Sequence, residues 1–169
     1  HRIILAVAVL AASPLFAADL PQSQDHPLLG RVGGTEIVGY DSKRFDSVAF
    51  QTSSFKEYDL ERELRVYAQP AMVVEGARTT IWYEGASLSA LEIVRQYQSE
   101  LTGKGFEIVY DSSKDPNAGD YTNFLAPFSQ NEPRNNRSTY VLYAASDSSV
   151  RSTTLKRSGD SGETWVSII

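Results

Sequence analysis

The chain has 169 residues, of which 41% are apolar and 22% charged, and it carries a formal net charge of -5 with no cysteine. That length suits one folded domain, and the apolar fraction is too high for a disordered chain. Without cysteine there can be no disulfide framework, zinc–thiolate site, iron–sulfur cluster or thiol nucleophile. The 16 basic residues are scattered among 21 acidic ones, whereas a nucleic-acid binder gathers its cations on one face.

The first segment reads as an address. Arg2 precedes an apolar run from Ile3 to Ala12, then Ser13-Pro14 and the small residues Ala17-Ala18. A basic start, a short apolar core and small residues before a cut are the marks of a secretory signal peptide. Residues 1–17 are therefore assigned to a leader cut after Ala17 or Ala18, and the run is too short to span a bilayer, which takes about 20 residues. The expected mature chain is exported and has no transmembrane helix. Residues 18–34, rich in Pro, Gly, Gln and Asp, read as an extended lead-in. Residues 35–169 read as a single domain, truncated because Trp165 to Ile169 ends the chain in a β-prone run.

Within that domain Glu36 to Tyr40 forms a short strand candidate, followed by a polar stretch to about Tyr58. Glu63 to Gln69 alternates apolar and polar residues, the period-2 pattern of a half-buried strand. Met72–Val74 and Thr79–Tyr83 are β-rich, and Glu75-Gly76 between them suggests a bulge. Ser89 and Glu92 make a capping box, after which Ala90, Leu91, Val94, Tyr97 and Leu101 recur at helical spacing. Arg95, Gln96, Ser99 and Glu100 fall on the other side, and Gly103-Lys104-Gly105 supplies the stop. Phe106, Ile108 and Tyr110 alternate as a strand. A strand–helix–strand unit over 78–110 follows. Beyond it lie a polar region with a helical turn near Tyr121–Leu125, then strands near 139–145, 150–157 and 163–169. The predicted fold class is α+β, a mostly antiparallel sheet packed against one main helix over about 89–102.

Three strings have the look of catalytic or metal-binding motifs, and each is incomplete. Gly159-Asp160-Ser161-Gly162 has the surroundings of a trypsin-like serine, but such a serine needs a histidine base, and the only histidine beyond His1 is His26. The string is read as a hairpin turn. Ser53-Ser54-Phe55-Lys56 fits Ser-x-x-Lys without the partner motifs of penicillin-recognising enzymes. Asp111, Asp115, Asn117 and Asp120 cluster in one loop, but from Asp115 the calcium-loop order fails at position 5, which is Gly119. No catalytic, cofactor or metal residue is assigned. His26, Trp82, Asp115 and Asp120 remain as contact candidates.

Asp25-His26-Pro27-Leu28-Leu29-Gly30-Arg31 followed by Ile37-Val38-Gly39-Tyr40 resembles the start of a periplasmic domain of unknown function. That domain occurs in OmpA-like envelope proteins of Gram-negative bacteria. Val74 to Thr79, Ser87 to Ile93, Gly105-Phe106-Glu107 and the closing Arg151 to Ile169 are similar to it as well. The resemblance implies a non-enzymatic module associated with the outer membrane, with envelope proteins or cell wall as partners. Contact with the wall would run through a peptidoglycan-gripping module after Ile169. Two rivals stay open. One is an envelope hydrolase using acids of the 111–120 loop; the other is a glycan or small-ligand binder displaying Trp82 or Trp165 in a groove.

Overall fold

A computed structural model describes residues 19–59, 61–62, 64–85, 87–118 and 150–169. The fold is α+β, with one main helix and several antiparallel sheets among the described residues. The strands are β1 (Glu36–Phe50), β2 (Phe55–Asp59), β3 (Leu64–Tyr67), β4 (Met72–Glu84), β5 (Glu107–Asp111), β6 (Thr153–Gly159) and β7 (Gly162–Ile168). The helix α1 spans Ala90–Gly103, and a single 3₁₀ turn, Ser112–Lys114, follows β5. The sheets have strand orders β1-β4, β2-β3 and β5-β6-β7. The strand–helix–strand unit forms, and among the described residues its strands β4 and β5 lie in different antiparallel sheets. The predicted turn near 121–125 and strand near 139–145 lie outside the described residues.

α1 starts where local chemistry puts it. The Ser89 hydroxyl accepts the Glu92 amide at 3.2 Å, and the Glu92 carboxylate accepts the Ser89 amide at 2.8 Å. It stops at Gly105, whose φ of +84° suits a residue without Cβ, and the Phe106 amide donates back to the Leu101 carbonyl at 3.0 Å. Phe106 is thereby turned into the core with Leu101 and Leu155, the last two fully buried.

β1 is longer than predicted, running through Asp41, Ser42, Lys43 and Arg44. Its polar residues gain cross-strand partners that a linear reading does not see. Arg78 of β4, 8% exposed, pairs with Asp41 and with Asp46 at 2.9 Å; Lys43 pairs with Asp46 at 3.3 Å. The expected bulge at Glu75-Gly76 is also corrected. Gly76 pairs in register with Asp46, and the irregularity lies on β1, where Arg44 and Phe45 oppose the single residue Ala77.

The lead-in is not an appendage. Leu28 and Leu29 pack against the Leu101–Phe106–Leu155 cluster, and Val32 is buried. Residues 19–34 therefore belong to the folded unit rather than preceding it.

Candidate functional site

The acidic loop after β5 is where a hydrolase or cation site would have to form, and its two described acids are both engaged. Asp111, whose side chain is 3% exposed, accepts the Arg95 guanidinium at 2.7 Å. Its other oxygen accepts the Ser113 amide at 3.0 Å and hydroxyl at 2.7 Å, capping the 3₁₀ turn. Arg95 also donates to Gln98 at 2.5 Å and to the Ser113 hydroxyl at 2.6 Å. Gln98 passes the network inward, donating to the Thr153 hydroxyl at 3.0 Å, which donates to the Tyr110 carbonyl at 2.7 Å. Burial opposes ionisation of Asp111, but the Ser113 hydroxyl, Arg95 and the Ser113 amide together outweigh it and bring the carboxyl to about 2.

Asp115 faces a different way. It accepts the Tyr110 hydroxyl at 2.9 Å and the Asn117 amide at 2.9 Å, while Asn117 donates to the Phe55 carbonyl at 3.3 Å. Burial, and then the bond to Asp115, pushes the Tyr110 phenol well above its usual range. A shallow cleft of about 290 Å³ lies here, lined by Ser53, Ser54, Ile108, Tyr110, Lys114 and Asp115. Ser53 in it is already used: its hydroxyl accepts the Gln69 amide at 2.8 Å and donates to the Gln69 carbonyl at 3.0 Å. Among the described residues no three acidic or histidine side chains meet as metal ligands. Asp120 lies outside the described residues.

The other candidates are dispersed. Trp82 is 9% exposed on β4 and packs in the core rather than displaying its ring in a groove. Trp165 of β7 is half-buried; Phe50 lies 5.5 Å away and the Lys156 ammonium 5.8 Å above its ring, and its indole N–H donates to Glu163 at 2.9 Å. His26 Nδ1 accepts the Leu28 amide at 3.2 Å, which shapes the turn delivering Leu28 and Leu29 to the core. Ser161 sits exposed in the two-residue turn between β6 and β7, beyond the paired glycines Gly159 and Gly162. Gly162, the residue that follows the turn, has a φ of +118°, which suits a residue without Cβ.

A constellation absent from the sequence reading surrounds Arg31. Its guanidinium binds Asp19 through two bonds at 2.7 and 2.8 Å and Asp25 through two at 2.9 and 3.1 Å, and lies 5.6 Å from the Tyr83 ring centre. The Tyr83 hydroxyl donates to Asp25 at 2.8 Å, and the Ile37 amide donates to Asp19 at 2.8 Å. Arg31 draws both carboxyls below their ordinary value, and partial burial, then the bond to Asp25, pushes the Tyr83 phenol far up. The Asp19, Asp25 and Arg31 spacing matches no catalytic pattern, which is why it carried no signal.

No family model, curated protein or solved structure matches this chain.

Proposed function

We propose that this chain is an exported, non-enzymatic module of the Gram-negative cell envelope that works through contacts with envelope partners. The leader-like start, the resemblance of the Asp25–Arg31 and Ile37–Tyr40 stretches, and the absence of cysteine support that setting. One structural observation carries the contact reading. Each described carboxylate whose acidity departs from the ordinary value is driven down by a partner: Asp19, Asp25, Asp46, Glu92, Glu100 and Asp111. A hydrolase acid needs the opposite, a carboxyl held protonated by burial without a cation. The acids of this surface hold the fold together. No described helix is long and apolar enough to cross a membrane.

The reading is tested by producing the chain behind an initiator methionine in a Gram-negative host and fractionating the cells. The expected product is periplasmic, with an N-terminus at Ala18 or Asp19 by intact mass. A cytoplasmic product retaining Ile3–Ala12 would contradict it.

A further inference from the structure

We propose that residues 19–35 form a strap that opens as one unit ahead of the rest of the fold, uncovering the apolar seat made by Leu101, Phe106 and Leu155. Three features of the structure point to this.

The first is that the strap carries its own clasp. Arg31 and its two carboxylate partners, Asp19 and Asp25, all lie within it, so the ion pairs that shape the loop are its own, with Tyr83 and the Ile37 amide adding one bond each from the body. Its ends are drawn together by the Leu20 amide, which donates to the Ile37 carbonyl at 2.8 Å. A compact loop with adjoining ends and internal packing moves more readily as a body than as a frayed chain.

The second is the character of its attachments. Among the described residues the Leu20–Ile37 bond is its one main-chain to main-chain link to a strand, whereas β1 and β4 share a ladder running from Glu36–Glu84 to Phe50–Met72. The remaining ties are the Ile37 amide on Asp19 at 2.8 Å, the buried Val32 side chain, and side-chain bonds at the surface. The Gly30 amide donates to Glu100 at 2.9 Å, Lys104 donates to the Leu28 carbonyl, and Tyr83 donates to Asp25. Ties of this exposed kind each contribute little, and segments with few main-chain bonds open below the global unfolding free energy.

The third is the seat. Leu28 and Leu29 are only partly buried, yet they cover Leu101 and Leu155, which are fully buried. Gly33 and Gly34 join the strap to β1; Gly34 has a φ of +80°, and a Cβ at either would meet nothing within 4 Å. The Cα positions of this joint face open space, while the Gly34 carbonyl lies close to Gly85, so the swing would turn about Gly33 and Gly34 and release that contact. Opening converts a closed core into an apolar groove flanked by Glu100 and Lys104.

Hydrogen exchange followed by NMR on the whole protein tests this, using the Leu20 and Gly30 amides as reporters of the strap and Leu155 and Val166 as reporters of the sheet. The strap amides are expected to exchange at least about tenfold faster than the sheet amides, with a weaker dependence on low urea. Arg31→Ala should speed the strap amides several-fold further, leave the sheet amides unchanged, and raise binding of an apolar fluorescent dye. Unchanged sheet amides show that the variant still folds. If Leu20 and Gly30 exchange at the rate and urea dependence of Leu155 in both proteins, the strap is part of one cooperative unit and the proposal fails. Equal dye binding by the two proteins would also overturn it.

Discussion

Arg95 shows how far exposure misleads at a single residue. It is 46% exposed and lies off the apolar stripe of α1, so spacing alone reads it as a solvated side chain; yet its partner Asp111 is buried. Removing the cation strands a desolvated carboxylate, a loss that costs on the order of 1–3 kcal/mol. Arg95→Ala is therefore expected to be destabilising by that amount in a denaturant melt, where exposure alone predicts almost none. The same pair sets an acid limb. A carboxyl lowered from 3.8 to about 2 stabilises the native state fully above its ordinary value. That contribution, roughly 2 kcal/mol, is lost as pH falls from about 4 through 2. Stability measured from pH 6 to 2 should fall less steeply in Asp111→Asn than in the parent, after its lower starting value is allowed for. Ser161 gives the contrary case, an exposed residue with little to lose. Without a histidine beside it among the described residues, its hydroxyl is expected to stay unreactive and a fluorophosphonate probe to leave the protein unlabelled.

At the scale of elements, the helix was legible and the longest strand was not. Ser89, Glu92 and Gly105 fixed both ends of α1 because capping and left-handed termination are local chemistry. Ser89→Ala should cost about 1 kcal/mol, read as a shift in the denaturation midpoint. The buried face was only partly legible. Val94, Tyr97 and Leu101 are buried as their spacing predicts, but so is Gln98, while Leu91 is 42% exposed. Leu91 and Gln98 lie two turns apart at nearly one angular position, so burial along that line depends on what sits opposite, and periodicity does not report that. Leu101→Ala should cost about 2–5 kcal/mol and Leu91→Ala at most about 0.5. Equal costs would show that the packing face is misassigned. β1 escaped notice for a related reason: Asp41 and Asp46 look like a loop until Arg78 and the register of β4 supply their partner. The candidate site was legible in its parts rather than its assembly. Asp111 and Asp115 stand four residues apart in sequence, yet one turns to α1 and the other to Tyr110.

Across the whole molecule the ionisable groups serve as fasteners between elements. Arg31 shapes the strap, Arg78 joins β1 to β4, Arg95 joins α1 to the turn after β5, and Lys104 joins α1 to the strap. The proposed reading is of a module that presents shape to partners rather than chemistry to a substrate. The claim of an envelope module acting by contact is tested most directly by cross-linking in living cells. A photoreactive residue would be placed in turn at exposed Phe45, Val73 and Leu91 of the full chain in a Gram-negative host. The account predicts discrete covalent adducts to envelope proteins from at least one position, formed by product that has lost its leader. Absence of adducts from all three positions, with the chain retained in the cytoplasm, would contradict it.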